Sequence, residues 1–320
     1  MSLDGIRVPR IPLCACAILA VWSDNVDIQW FPGHMAKARR EVAEKLKVVD
    51  TVIELLDARI PDGSRNPILR GLIENKPTVV VLAKADLADE HVTEQYRRAR
   101  ERAGQIEVVA ADCLHGPGIS QVVRAARRLG EERLHRLAAR GIRRKAVRAM
   151  VVGIPNVGKS SLINRLAGRA AARTGDRPGV TRQQQWVKVG EAFELLDTPG
   201  VLWPKFDDPA VALRLAWTGA IKPALLDQTE LALELLRFLR AQYPQELVRR
   251  YRMPDPPPAD VEELLERVAL RNGMLREGGV FDTDKAAVHV LQDLRSGLLG
   301  RISLETAEDW ARGDPDGAPG

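Results

Sequence analysis

The richest chemistry in the chain lies in the run "GIPNVGKS", Gly153 to Ser160, which follows an apolar stretch and leads into "SSLINRLAG". Its spacing, G-x-x-x-x-G-K-S, is that of a phosphate-binding loop. Backbone N–H groups of Asn156, Val157, Gly158, Lys159, Ser160 and Ser161 would wrap a triphosphate at a helix N-terminus. The Lys159 ammonium would neutralise β- and γ-phosphate charge, and the Ser160 hydroxyl would ligate Mg²⁺. Asp197 lies 38 residues beyond Lys159 and opens Asp-Thr-Pro-Gly at the end of a second apolar run. There the carboxylate would hold a water on Mg²⁺ and the Gly200 N–H would meet the γ-phosphate. Between the two motifs, "RPGVTR" offers Thr181 as a second Mg²⁺ ligand.

A loop that reads the base is missing after these motifs and present before them. "VVVLAKADLAD", Val79 to Asp89, is an apolar run ending in Ala83-Lys84-Ala85-Asp86. The Asp86 carboxylate suits guanine N1–H and N2–H₂, and the Lys84 stem can cover the base face. "AADCLHG", Ala110 to Gly116, also follows an apolar run, so the backbone at Asp112 and Cys113 can meet guanine O6. Circular permutation reconciles this order with one binding site. It moves loops along the chain while leaving them on the same edge of a sheet.

These residues need short strands to position them. Apolar runs at Thr51–Leu56, Thr78–Leu82, Ile106–Ala110, Ala149–Ile154, Trp186–Val189 and Phe193–Leu196 alternate with helical periodicity at Met35–Lys47, Pro67–Glu74, Glu90–Ala103, Ile119–Arg140 and Ser160–Gly168. The expected fold is α/β, a doubly wound, mostly parallel sheet, in which ligands lie at the carboxyl ends of the strands. Beyond Pro204 the pattern is helical only, at Ala210–Ala216, Thr229–Tyr243, Ala259–Asn272, Thr283–Ser296 and Glu305–Ala311. The expected domains are a nucleotide-binding domain over 26–206 and a small all-α domain over 207–312. Disordered segments are expected at 1–25 and 313–320.

The 320 residues carry a net charge of +5, which favours an anionic partner. Nine Lys/Arg between Arg127 and Arg148, against Glu131 and Glu132, form either a solvated helical face or a phosphate-backbone contact. Three cysteines without a CxxC pair suit a reducing compartment. "RIPLCACAILAVW", Arg10 to Trp22, is too short for a membrane span and lacks a convincing cleavage site, so a cytoplasmic protein without a membrane partner is expected.

"DIQWFPGHMAKARRE", "LLDARIPDGSRNP", "VLAKADLAD", "GIPNVGKSSLINRL", "RPGVTR" and "LLDTPGVLWPKF" together resemble the ribosome biogenesis GTPase A (YlqF) family of circularly permuted GTPases, over roughly residues 26–300. The resemblance implies a monomer that binds GTP and GDP, engages the large ribosomal subunit late in assembly and contacts rRNA through its helical domain. It implies Mg²⁺, and K⁺ held by Asn156. Val201 and Leu202 follow Asp-Thr-Pro-Gly and cannot orient a nucleophilic water, so the resemblance assigns catalysis to His34 of "PGHM", with turnover stimulated by the ribosome. One position departs from the pattern: the family expects Asn where this chain has Ala83. Two alternatives stay open, a GTP-switched rRNA-binding factor with negligible turnover and a P-loop ATPase.

Overall fold

The computed structural model describes residues 32–102, 107–142, 144, 146–168, 186–198, 200, 202–203, 206, 208–221 and 227–313. Thr181, Arg143, Lys145, the 1–25 extension and residues 314–320 fall outside these. Two compact units divide the chain after Pro204.

The first unit is a six-stranded sheet, ordered β3-β2-β1-β4-β6-β5. Its strands are β1 (Thr51–Asp57), β2 (Thr78–Ala83), β3 (Glu107–Ala111), β4 (Val147–Gly153), β5 (Trp186–Val189) and β6 (Phe193–Leu196). Val, Ile and Leu fill both faces of β1, β2 and β4, the composition of strands covered on both sides. All pairings are parallel except β5 with β6, which is antiparallel and closes one edge. Helices α1 (Pro32–Val48), α2 (Pro67–Ile73), α3 (Glu90–Arg102), α4 (Ile119–Ala139) and α5 (Lys159–Ala167) complete the layers. One core cluster packs Val42, Leu46 and Leu69 against Val52, Met150 and Leu196, while another packs Tyr96 and Trp310 against Leu56, Val80, Leu82 and Val108.

Register sets the loops. Asp57 pairs with Ala83 and Ala83 with Ala111, so β1, β2 and β3 end level with one another; Gly153, the last residue of β4, pairs with Leu55. The strands expected from the sequence therefore form, and the carboxyl ends of the parallel ones, β1, β2, β3, β4 and β6, share one edge.

The second unit spans Lys205–Ile302 and is helical. It contains α6 (Pro209–Trp217), α7 (Gln228–Gln242), α8 (Pro244–Tyr251), α9 (Val261–Arg271) and α10 (Thr283–Ser296). Asp208, Asp227, Asp260 and Asp282 cap α6, α7, α9 and α10, each accepting first-turn N–H groups. Trp217 Nε1 donates to the Leu231 carbonyl at 2.9 Å, and Asp293 accepts from Arg250 at 2.7 and 2.9 Å and from Tyr251 at 2.9 Å. Two features differ from expectation. Helix α8 lies between Tyr243 and Ala259, where no helix was expected, and starts on Pro244, a residue well suited to a first helical position. Residues 303–313, including α11 (Ala307–Gly313), belong with the sheet rather than with the helical domain expected to reach 312. Trp310 drives that assignment, meeting the Tyr96 ring edge-on at 5.1 Å.

Among the described residues, six of the seven cations between Arg127 and Arg148 have carboxylate partners: Arg127 with Glu131, Arg128 with Glu107, Arg133 and Arg144 with Asp50, Arg136 with Glu132 and Arg148 with Glu194. Asp50 matters most, being fully buried and also accepting the Arg148 backbone N–H at 2.9 Å. Much of this cluster is therefore structural. Asp50→Ala should destabilise the protein by about 3 kcal/mol, because two guanidinium groups and an N–H lose their acceptor. Chemical denaturation followed by far-UV circular dichroism checks this; a loss under about 1 kcal/mol would contradict it.

Candidate nucleotide site

The phosphate loop leaves β4 at Gly153 and enters α5 at Lys159. Asn156 (φ 57°) and Gly158 (φ 114°) are left-handed, which turns the backbone N–H groups into a concave nest. Gly158 is the N-cap of α5 and supplies no side-chain cap, so first-turn donors face the loop. Lys159 is buried, and its ammonium donates to the Gly153 and Ile154 carbonyls at 3.1 and 2.7 Å. Burial lowers its pKa to about 8, against the opposing pull of the Asp197 carboxylate.

The Asp-Thr-Pro-Gly loop is pinned onto this nest. Thr198 Oγ1 donates to the Val151 carbonyl of β4 at 2.5 Å. A Cβ on Gly200 would stand 2.8 Å from Lys159 Nζ and 2.9 Å from the Pro155 backbone, so only glycine permits this approach. Partial burial raises the Asp197 carboxyl pKa, offset in part by the Thr198 N–H, Lys159 and Lys45. Lys45 of α1 also donates to the Asp197 carbonyl at 2.9 Å, a contact that the sequence did not announce. Ser160 and Asp197 offer only hard oxygen donors beside a cationic phosphate nest, a set that fits Mg²⁺ completed by phosphate oxygens. His34 lies in the first turn of α1.

The base loop begins at the end of β2. Ala83 is buried, and its Cβ lies 3.8 Å from where a Cβ on Gly158 would stand, so position 83 faces the phosphate loop. Lys84 is left-handed (φ 57°) and its ammonium donates to Asp57 Oδ2 at 3.0 Å. The Ala85 N–H reaches the Ala111 carbonyl at 3.3 Å, tying this loop to the one after β3. There Asp112 Oδ1 accepts from the Leu114 and His115 N–H groups, both at 2.8 Å, and Oδ2 meets His115 Nδ1 at 2.7 Å. Burial alone would raise the Asp112 carboxyl, but these hydrogen bonds lower it. The side chain of Asp112 is thus occupied by its own loop. Cys113 is buried, and burial with the nearby Asp112 and Asp86 carboxylates pushes its thiol up to about 12. Arg165 of α5 donates to the Leu114 carbonyl, fastening the third loop to the phosphate-loop helix.

Four loops named from sequence, those after β2, β3, β4 and β6, thus meet at one sheet edge. The residues that hold them there, Lys45, Asp57, Arg59, Arg165 and Thr198, were not singled out. All but Lys45 lie within the family's motifs, yet no local pattern says what their side chains reach.

A parallel sheet with a phosphate loop in its centre and a base loop earlier in the chain defines a circularly permuted P-loop GTPase. Residues 148–245 match the family model of 50S ribosome-binding GTPases. The chain is 50% identical to ribosome biogenesis GTPase A of Bacillus cereus over 88% of its own length and 95% of that relative. It is 35% identical to mitochondrial ribosome-associated GTPase 1 of Xenopus tropicalis over 86% and 94%. A crystal structure of GNP-bound YlqF from T. maritima superimposes with a TM-score of 0.57 at 26% identity, covering 85% of this chain and 99% of that one. The chain belongs to the ribosome biogenesis GTPase A family.

The lowered Lys159 pKa has a consequence with a definite sign. Phosphates bind the ammonium form, and above about pH 8 the nucleotide-free protein must first take up a proton there. GDP affinity should be near constant from pH 6 to 7.5 and fall about tenfold per unit once the pH passes about 8.5. Fluorescent-GDP titrations across pH 6–9.5 check this; a flat profile to pH 9.5 would contradict it.

Proposed function

We propose that this chain binds GTP across the shared strand edge and hydrolyses it to GDP and phosphate while engaged with the large ribosomal subunit late in assembly. The observation that carries this reading is the meeting of phosphate, γ-phosphate and base loops at that edge, in an order found in a GTPase family of ribosome biogenesis. Asn156, Val157, Gly158, Lys159, Ser160 and Ser161 hold the phosphates. Ser160, Thr181 and Asp197 would hold Mg²⁺, Asp197 through water, and the ion would supply positive charge to the β- and γ-phosphates. K⁺ beside the phosphates is Asn156's share. Lys84 covers the base, Asp86 accepts from its N1–H and N2–H₂, and backbone at Asp112 and Cys113 meets O6.

His34 is the group assigned to orient the attacking water. Buried Leu202 has no polar atom to do so. The first turn of α1 and the Asp-Thr-Pro-Gly loop are linked along α1 itself, whose Lys45 holds the Asp197 carbonyl. Turnover stays slow until the ribosome engages His34. The protein acts as a cytoplasmic monomer, with rRNA contacted through the helical unit.

Single-turnover GTP hydrolysis with and without large subunits tests this. Stimulation is expected, and His34→Ala should leave GTP affinity intact while lowering the stimulated rate by about 10²–10⁴. Absence of stimulation in the unsubstituted protein would leave a GTP-switched binding factor instead. Ala83→Asn should tighten GTP binding about tenfold, on the order of 1–2 kcal/mol, because an amide at this buried position gains partners in the phosphate loop. Calorimetric titration checks this; unchanged or weaker binding would contradict it.

A further inference from the structure

Residues 303–305 follow the helical unit and return to the sheet, where they hold both flanks of the base loop. On the near side, the Leu304 N–H donates to the Arg59 carbonyl at 2.8 Å. Arg59 is buried, and its guanidinium and backbone N–H meet Asp57: Nε and N to Oδ1 at 2.9 and 3.1 Å, and Nη2 to Oδ2 at 2.8 Å. That Asp57 carboxylate is the one holding the Lys84 ammonium. Glu305, also buried, accepts the Asp62 and Gly63 N–H groups at 2.9 and 2.7 Å, and so fixes the loop that follows Arg59. On the far side, Ser303 Oγ accepts the Asp89 N–H at 3.2 Å.

The segment between these two anchors, Lys84 to Asp89, holds Asp86. Within it Lys84 sits in the left-handed region, uncommon for residues other than glycine, and the Leu87 N–H closes the turn on the Lys84 carbonyl at 2.9 Å. In this chain, Asn is also absent from position 83. We propose that Ser303, Leu304 and Glu305 are positioning residues for guanine recognition, holding Lys84 and Asp86 in a base-reading conformation through Asp57, Arg59 and Asp89. The proposal rests on reading Lys84–Asp86 as the base loop. Residue 303 is bonded directly to Ile302, the last residue of the helical unit.

Dissociation constants for GDP and IDP separate this role from simple stabilisation. IDP lacks the 2-amino group, so the GDP/IDP affinity ratio reports how well Asp86 is placed. Glu305→Ala and the double variant Ser303→Ala/Glu305→Ala, each with its thermal midpoint measured, should weaken GDP about five- to tenfold and IDP much less, collapsing the ratio. Glu305→Gln, which keeps one acceptor oxygen, should recover part of it. Equal losses for both nucleotides, or no loss in a folded variant, would overturn the proposal. Asp86→Asn, measured with GDP and XDP, tests the underlying reading separately: a shift toward XDP supports the base loop, and no shift removes it whatever the Glu305 variants do.

Discussion

Parallel strand pairing is the constraint on which the site depends. Hydrogen bonds between β2, β1, β4 and β3 bring the carboxyl ends of strands far apart in sequence to one edge, with Asp57, Ala83 and Ala111 level across three of them. Each loop inherits its place from its strand, so the order in which the chain visits the strands can be rotated without disturbing the pocket. The cost of that rotation appears at the seams. Lys45 on α1, before the first strand, and residues 303–305, after the helical unit, both return to brace loops at this edge.

Charge is managed differently at the two ends of the pocket. At the phosphate end, Lys159 is buried against two carbonyls, so nucleotide phosphate replaces dipoles with full anions and the nest is already shaped for them. At the base end, a buried carboxylate organises the cations. Burial alone would raise the Asp57 pKa; the Arg59 guanidinium and the Lys84 ammonium instead hold it far below the ordinary carboxylate range. Removing Asp57 would take the carboxylate from a buried guanidinium, which is why this network resists change at its centre.

Most of the strands and the loops after them were legible in the sequence, because apolar runs of Val, Ile and Leu bounded by Gly, Pro and Asp report a buried strand and its exit directly. Pairing direction was less legible: nothing in "WVKV" distinguishes an antiparallel edge strand from a parallel one. Helix α8, eight residues between the expected helices ending at Tyr243 and starting at Ala259, is too short to show a clear apolar period. The destination of residues 303–313 was invisible, since it is decided by a carboxylate meeting N–H groups more than 240 positions away. The basic run from Arg127 shows the reverse case. Its charge looked available for an outside partner until Asp50, Glu107 and Glu194 were placed beside it.

The central claim is that a base loop placed early in the chain and a phosphate loop placed late form one guanine-nucleotide site. Hydrogen–deuterium exchange with and without GDP tests it most directly. Concerted protection of the amides at 84–87, 112–116 and 156–161 is the expected result, saturating at a single GDP concentration. Protection confined to 156–161, with the earlier segments unchanged, would contradict the account.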